Sequence, residues 1–227
     1  MRPISKMNLF DDNGGNRLSR YEKLDIDSNQ ANRIGCVIMA SGMGKRFGSN
    51  KLMADFAGSP MILHAIKKTE NLFSKRVVVT RHIEIVELCH QSDLEVIYHN
   101  LPYRSDTIRL GLKALDNIDA CMFLPGDQPL ITSKTIENLI NLWKSDKEKI
   151  VRPVFNNNPG APVIFPKWAF TELLNLTGAN GGHTVIQNHQ NKLNYLSVSD
   201  SFELKDIDTV ETFNEFLRYA KNKGIGV

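Results

Sequence analysis

The chain is poor in cysteine and in long apolar runs, and each shortage excludes a class of protein. Its three cysteines, Cys36, Cys89 and Cys121, are single and lie in or beside apolar segments. That placement favours buried thiols in a reducing compartment over disulfides or a zinc site. No run approaches the roughly eighteen apolar residues of a membrane span, and the N-terminus lacks the apolar core of a signal peptide. A cytoplasmic protein without a membrane partner is therefore expected.

Charge of one sign and clustered metal ligands are also scarce. The formal net charge is only +3, and no basic run is interleaved with aromatic residues. Nucleic acid is therefore not an expected partner. The six histidines are scattered without ligand spacing. With 227 residues, 41% of them hydrophobic, the chain is long enough for one domain with a large core.

The order of predicted elements indicates an α/β protein. Polar residues 1–33 are predicted to form a mobile N-terminal extension, and residues 34–227 a single domain. Apolar strands that alternate with amphipathic helices are typical of a parallel sheet covered on both faces. The predicted strands lie at 34–39, 76–80, 94–98, 120–124, 150–155, 161–165 and 192–198. The predicted helices lie at 59–73, 82–91, 105–116, 132–145, 166–175 and 209–222, with a glycine-rich loop at 178–182.

The most informative segment is the loop after the first predicted strand. An apolar run stops at a loop that contains Gly42, Gly44 and Gly48, with Arg46 and Lys51 following at fixed offsets. Small residues let several backbone N–H groups converge on an anion of phosphate size. Arginine and lysine then neutralise the charge that backbone dipoles leave. The loop therefore predicts a polyphosphate site.

Two familiar phosphate-binding motifs are excluded by spacing. A P-loop requires Ser or Thr after its Gly-Lys pair, whereas Arg46 follows Lys45, and Met39 stands where the first glycine belongs. A dinucleotide fingerprint requires G-x-G-x-x-G, whereas these glycines are spaced G-x-G-x-x-x-G. An ordinary strand-to-helix turn would explain the glycines alone, but not the two cations in register with them.

Two acidic segments supply candidate metal ligands. Asp127 follows the apolar strand at 120–124, on the same rim of the sheet as the first loop. A carboxylate there suits Mg²⁺, which takes one or two carboxylates together with substrate phosphates; the alternative is a turn or capping aspartate. Asp206 and Asp208 precede the last predicted helix. There Asp208 or Thr209 could be the N-cap, and Asp206 could point back to the metal.

A third segment, residues 103–111, opens the third predicted helix. Ser105, Asp106 and Thr107 could cap that helix and have no other role. Arg104 adds a cation just outside the helix N-terminus, where free N–H groups already attract anions. The functional alternative is a contact to a nucleotide.

Four spaced elements of the chain match known sequence motifs. Ala40-Ser41-Gly42, with Arg46 and Lys51, is similar to A-A-G-x-x-x-R-x-x-x-x-K. The other three elements are Gly126-Asp127-Gln128-Pro129, which resembles G-D-Q-P, Gly160-Ala161-Pro162, which resembles G-x-P, and Asp206-Ile207-Asp208-Thr209, which resembles D-x-D-T. In this order, over about residues 34–220, the chain resembles the MobA-like nucleotidyltransferase family, and within it the molybdenum cofactor cytidylyltransferase branch.

This resemblance implies a Rossmann-like, GT-A-like nucleotidyltransferase fold with three αβα layers. It implies that about residues 34–130 bind the NTP and about residues 131–227 the acceptor. The implied reaction is a Mg²⁺-dependent transfer of CMP from CTP to molybdenum-loaded molybdopterin, with release of pyrophosphate. The acceptor's terminal phosphate would attack the α-phosphate of CTP.

The resemblance also assigns roles to individual residues. The implied catalytic residues are Arg46, Lys51 and Asp127, and the implied metal ligands are Asp127, Asp206 and Asp208. The implied nucleotide contacts are Ala40, Ser41, Gly42, Met43, Gly44, Arg46, Lys51, Arg104 and Thr107. The implied acceptor contacts are Gly160 and Pro162.

The chain departs from the family's pattern in three places. Ser41 stands where a second alanine is usual, and the segment around Asp106 differs from the serine-rich version common in the cytidylyltransferases. Ala179 stands where many members have aspartate, so the acceptor stays open. Alternative reactions use another phosphate acceptor, such as a sugar or polyol phosphate, or use GTP. A further alternative is a non-catalytic nucleotide-binding protein that delivers cofactor to a large apoenzyme such as a molybdenum hydroxylase.

Overall fold

The computed structural model describes residues 33–44, 46–92 and 94–225. The strands are β1 (Ile34–Ala40), β2 (Asp55–Phe56), β3 (Ser59–Pro60), β4 (Lys75–Thr80), β5 (Val96–Tyr98), β6 (Ala120–Pro125), β7 (Ile150–Phe155), β8 (Asn158–Pro159), β9 (Val163–Pro166) and β10 (Leu193–Ser197). The helices are α1 (Met61–Lys68), α2 (Ile83–Gln91), α3 (Arg104–Ala114), α4 (Ser133–Ser145), α5 (Phe170–Leu174), α6 (Gly182–Asn188) and α7 (Val210–Asn222). Short 3₁₀ helices lie at Lys51–Met53, Lys167–Ala169, Gln190–Lys192 and Ser201–Leu204.

The main sheet has the strand order β10-β7-β9-β6-β1-β4-β5, and β8 pairs with β7 at one side. β1 is central and pairs in parallel with both β4 and β6. β9 enters between β6 and β7 and runs antiparallel to both. β2 and β3 form a separate antiparallel hairpin. The predicted α/β class with a mostly parallel sheet is therefore confirmed.

Helices cover both faces of the sheet. Alternate β1 residues supply the two cores, because successive side chains of a strand point to opposite faces: Cys36 and Ile38 pack on one face and Val37 on the other. One core contains buried residues of α1, α2 and α4, and the other contains buried residues of α3, α5 and α6. A third cluster joins α7, through Phe216, to Phe56 of the hairpin. The two cores give the predicted three-layer αβα arrangement.

Two elements differ from the sequence prediction. The helix predicted at 59–73 begins only at Met61, because Ser59 and Pro60 pair with Asp55 and Phe56 in the hairpin. It ends at Lys68, five residues early. The loop predicted at 178–182 leads directly into α6, a helix that the sequence did not predict.

The three cysteines are buried and unpaired, as their apolar surroundings predict. Within the described residues, no helix is both long and apolar enough to cross a bilayer. The predicted N-terminal extension lies, except for residue 33, outside the described residues, so the division of the chain into an extension and one domain stays a prediction.

Candidate functional site

The predicted site residues meet at the carboxyl edge of the parallel strands. In the pairing register Ala40 lies opposite Thr80, and Met39 lies opposite Pro125, so β1, β4 and β6 end at the same edge. A cavity of about 420 Å³ opens there. Its floor is one face of the sheet, formed by Met39, Phe123, Pro125, Val163 and Phe165. Ligands of open α/β sheets bind in this position.

The cavity brings together about half of the predicted residues. The predicted residues that line it are Ser41, Gly42, Met43, Arg104, Thr107, Asp127 and Asp206. The predicted residues outside its described lining are Ala40, Gly44, Arg46, Lys51, Gly160, Pro162 and Asp208. Lys51, from the second set, holds Asp127 of the first set in place through a hydrogen bond.

The first loop is fixed by neighbouring strands. Ser41 Oγ donates to Val79 O at 3.1 Å and lies 2.8 Å from His99 Nε2. His82 Nε2 lies 2.9 Å from Gly42 O, so a second ring holds the next peptide. At Gly44, φ is +57°, and an added Cβ would lie 2.6 Å from Ser49 O. Glycine is therefore required at that turn.

Lys51 is the centre of the charged part of the site. Its ammonium group donates to Asp127 Oδ2 at 2.7 Å, to Asp208 Oδ1 at 2.9 Å and to Ile207 O at 2.7 Å. The side chain is only 7% exposed, and all three N–H donors of the ammonium are used. Burial lowers the pKa of Lys51, but the charge and hydrogen bonds of the two aspartates raise it, with a net upward shift. Lys51 thus remains protonated and holds the two carboxylates together.

Arg46 reaches the same cluster from the first loop. Arg46 Nη2 lies 2.9 Å from Asp208 Oδ2, and its side chain is 73% exposed. The hydrogen bond from Lys51 is the main reason that the pKa of Asp208 lies below its usual range. Thr209 Oγ1 accepts from Thr212 N at 3.2 Å, so Thr209, not Asp208, caps α7. The carboxylate of Asp208 is therefore not used as a helix cap, and it contacts Arg46 and Lys51 at the rim.

Asp206 is the third carboxylate of the cluster. Its Oδ1 accepts from Gln128 Nε2 at 2.9 Å, and it faces the cavity. Desolvation, followed by the charge of Asp127, raises the pKa of Asp206 to about 6, although the residue keeps an exposed surface toward the cavity. Among the described residues, no group of three or more His, Cys, Asp or Glu is assembled as a metal cage.

This donor set nevertheless fits Mg²⁺ or Mn²⁺. Asp127 and Asp208 share the buried ammonium of Lys51, and Arg46 reaches only Asp208. Asp206 accepts from the neutral Gln128. In the described part of the chain, three carboxylates are thus matched by two cations, and the cluster carries excess negative charge. Mg²⁺ needs only one or two protein carboxylates, because waters and substrate phosphates complete its shell. Asp127, Asp206 and Asp208 could supply those oxygens.

The start of α3 combines capping with a cavity contact. Asp106 Oδ2 accepts from Tyr103 N at 3.1 Å, and Asp106 Oδ1 accepts from Arg109 Nη2 at 2.6 Å, so the capping alternative holds for Asp106. Ser105 Oγ donates to Gly178 O at 2.8 Å and ties α3 to the later glycine loop. Thr107 faces the cavity.

The loop around Gly160 is held from the strand beside it. Arg152 Nε and Nη2 donate to Gly160 O at 3.1 and 2.9 Å. A Cβ at Gly160 would lie 2.9 Å from Leu204 Cβ, so only glycine fits. The Ala161–Pro162 peptide is cis, and Ala161, not Pro162, lines the cavity.

Sequence reasoning missed three polar side chains that line the cavity, namely Arg81, Arg152 and His183. Arg152 interrupts an otherwise apolar strand, and that interruption was the available signal. Arg81 follows directly after β4, at the edge where ligands bind. No comparable signal marks His183.

Comparisons with known proteins agree with the resemblance to the MobA-like family. A model of the MobA-like NTP transferase domain matches residues 36–193. A probable UDP-N-acetylglucosamine pyrophosphorylase of Acanthamoeba polyphaga mimivirus is 26% identical over 65% of this chain and 64% of its own length. A probable molybdenum cofactor guanylyltransferase of Natranaerobius thermophilus is 29% identical over 55% and 62%. The molybdenum cofactor cytidylyltransferase of Escherichia coli is 27% identical over 59% and 70%.

Solved structures agree with the fold. A nucleotidyl transferase from Methanothermobacter thermautotroptrophicus aligns with a TM-score of 0.72 at 19% identity, over 85% of this chain and all of that one. A manganese complex of Rv0371C from Mycobacterium tuberculosis aligns with a TM-score of 0.70 at 17% identity, over 82% and 98%. The match to this chain spans less than two thirds of the length of the first two curated relatives. The family model covers more than half of the chain and confirms the resemblance seen in the motifs: the chain belongs to the MobA-like NTP transferase domain family.

Proposed function

We propose that this protein is a divalent-metal-dependent nucleotidyltransferase that moves CMP from CTP to molybdenum-loaded molybdopterin and releases pyrophosphate. One observation carries the general reaction: Asp127 and Asp208 converge on Lys51 beside a glycine loop, at the rim of a cavity large enough for small-molecule substrates. Family membership supports nucleotidyl transfer. The name of the Escherichia coli relative supports the cytidylyl reaction.

The first loop is proposed to bind the nucleotide. Backbone N–H groups of Ser41 to Gly44 would surround the phosphates, and Arg46, exposed beside them, would add a bidentate cation. Lys51 would hold Asp127 and Asp208 together and oriented, and would compensate part of the charge that develops on the phosphates. Arg104 and Thr107 would contact the nucleotide from the other wall.

A divalent ion, when bound at Asp127, Asp208 and Asp206, would neutralise the phosphates and polarise them for attack. The manganese complex of a structural neighbour supports a divalent ion in this fold, and Mg²⁺ is the proposed physiological ion. The chain's own part is to position the substrates and to fix these carboxylates, which is most of what such reactions need from a protein.

The bond changes are those of an in-line displacement. A terminal phosphate oxygen of the acceptor forms a bond to the α-phosphorus of CTP, and the bond from that phosphorus to the bridging oxygen of pyrophosphate breaks. The pyrophosphate keeps the electron pair of that bond. No side-chain nucleophile is required.

A sugar phosphate is the second candidate acceptor, because the mimivirus relative is named as a pyrophosphorylase of that chemistry. Ala179 also stands where many molybdopterin enzymes of the resemblance have aspartate. GTP is the second candidate nucleotide, in view of the guanylyltransferase relative. Delivery of product to a molybdenum hydroxylase apoenzyme is a further part of the proposal.

The deciding experiment is pyrophosphate release by the purified protein with Mg²⁺. CTP, GTP, ATP and UTP are each paired with molybdenum-loaded molybdopterin and, separately, with N-acetylglucosamine 1-phosphate. Release with CTP and molybdopterin alone is expected. Release with the sugar phosphate would show that the acceptor is a sugar phosphate and not molybdopterin. Release with GTP would show that the nucleotide is GTP and not CTP. No release with any pair, alongside nucleotide binding by calorimetry, would identify a non-catalytic binding protein.

A further inference from the structure

The cavity runs along the edge of the sheet across four neighbouring strand spacings, with Asp127 at one strand and Arg152 at another. In the order β4-β1-β6-β9-β7, the first loop follows β1, Asp127 follows β6, and Arg152 lies on β7. With about 4.8 Å between strands, β7 lies about 10 Å from β6. Arg152 therefore borders the end of the cavity that lies away from the first loop.

The pairing register places Arg152 at the depth of the cavity floor. Ile164 of β9 lies opposite both Val151 and Met122, so β6 and β7 share a common level. Arg152 is one residue beyond that level, beside Val163 and Phe123, and all three residues line the cavity. The guanidinium thus belongs to the same sheet face as the floor.

Arg152 carries a charge that the described structure does not neutralise. Its two hydrogen bonds go to one neutral acceptor, Gly160 O. No ion pair among the described residues includes it. Burial lowers the pKa of Arg152, yet a guanidinium stays charged under all physiological conditions. Half-buried charges are normally paired, because an unpaired one is costly.

The hydrogen bonds to Gly160 do not by themselves account for an arginine. They use Nε and Nη2, and the described residues offer Nη1 no hydrogen-bond acceptor. A neutral side-chain amide, such as that of glutamine, could donate the same hydrogen bond to Gly160 O, and no cation would then lie in the floor of the cavity. A planar fork with a free edge is the arrangement that recognises carboxylate or phosphate.

We propose that Arg152 is an anion-binding residue at the acceptor end of the cavity. The acceptor then carries a second anionic group, distinct from its reacting phosphate and about 10 Å, or two strand spacings, across the sheet from β6, the strand that Asp127 follows. This inference rests on the proposed function for the identity of that end. It disfavours acceptors whose only anionic group is the reacting phosphate, which includes simple hexosamine 1-phosphates.

The test uses the full chain saturated with CTP and Mg²⁺, so that the first loop is occupied, and inorganic phosphate as the probe. Phosphate binding is measured by calorimetry for the wild type, Arg152→Gln and Arg152→Lys. The matched control is Arg218→Gln, since Arg218 Nε also donates to a backbone carbonyl, at 3.3 Å, but lies outside the cavity lining.

The wild type and Arg218→Gln are expected to bind phosphate with equal affinity. Arg152→Gln should bind it at least about 10-fold more weakly, the loss that accompanies one charge-assisted hydrogen bond. Arg152→Lys should fall between them, because it keeps the charge and loses the fork. If Arg152→Gln does not fold, the comparison of Arg152→Lys with the wild type decides the outcome.

Absence of phosphate binding by the wild type, or equal binding by the Arg152 variants, would overturn the inference. CTP binding is measured first on the same samples. If CTP does not bind, the proposed function fails separately, and the phosphate titrations of nucleotide-free protein still compare Arg152 with Arg218.

Discussion

The two cations at the ends of this site, the buried Lys51 and the half-buried Arg152, are balanced in opposite ways. Lys51 donates all three of its N–H groups to acceptors within the chain, and two of these acceptors are Asp127 and Asp208. Among the described residues, Arg152 donates only to the neutral Gly160 O. The first cation completes an internal cluster, whereas the second presents an unneutralised charge to the cavity. The difference indicates where an external cation and an external anion would each be favoured.

The Lys51 cluster also shows how residues far apart in sequence make one site. Asp206 to Asp208 come from the last part of the chain, and Lys51 and Asp127 come from the first part. Ile207 N donates to Asp127 O at 3.1 Å, which fixes the two segments at the backbone. A divalent ion that binds there meets carboxylates already held by an ammonium.

The largest expected effect removes one carboxylate of the balanced cluster. Asp127→Asn should lower pyrophosphate release at least about 100-fold, because it deletes a charge that would hold the metal. The amide keeps an acceptor for Lys51, so the melting temperature should change little. Asp116→Asn, which breaks the exposed pair of Asp116 with Lys75, is the control and should keep full turnover. Wild-type turnover by Asp127→Asn would show that the metal lies elsewhere.

The next effect removes the cation from the same cluster. Lys51→Met leaves Asp127 and Asp208 without their shared donor, and loss of one partner of a buried pair costs about 3 kcal/mol. The loss should appear in urea unfolding with EDTA and should be largely reversed by Mg²⁺, because the ion replaces the ammonium. CTP affinity should fall as well.

Lys75→Met is the matched control for Lys51→Met, since Lys75 pairs with an exposed aspartate. It should change stability little, with or without metal, because exposed pairs contribute little. If Mg²⁺ stabilised Lys51→Met no more than it stabilises the wild type, the cluster would not be the metal site.

The smallest effect concerns Asp206 and depends on pH. Its folded-state pKa of about 6 lies above the ordinary 3.8, so the ionised carboxylate opposes folding above pH 6, and this penalty disappears as the pH falls toward 4. In EDTA at pH 8, Asp206→Asn should raise the melting temperature by about 2 °C, since solvent screening keeps the free-energy gain under about 1 kcal/mol. The difference should vanish near pH 4.

Mg²⁺ reverses the sign of this prediction. With the ion present at pH 8, the wild type should be the more stable protein, because the ionised Asp206 is then a ligand. Circular dichroism melts of both proteins, with EDTA and with Mg²⁺, provide the four curves. If Asp206→Asn stayed more stable than the wild type in Mg²⁺, Asp206 would not be a metal ligand.

The α/β class was predictable from the sequence, because continuous apolar strands alternate with amphipathic helices. It also identified Asp127 and the first loop as neighbours, since the ends of parallel strands share one edge. Its errors have local causes. Ser59-Pro60 has the pattern of a helix start but pairs across a tight hairpin turn. The glycine-rich sequence at 178–182 predicted a loop, and helix α6, which begins at Gly182, was therefore not predicted.

The contacts of these side chains depend on packing between distant parts of the chain. Lys51 was predicted to contact phosphates, and its partner Asp208 stands 157 positions later in the chain, so no local sequence pattern could pair them. Arg152 became a candidate because no ion pair among the described residues includes it. Charge balance is a property of groups brought together by packing, so the sequence can supply the charges, but only the fold assigns their partners.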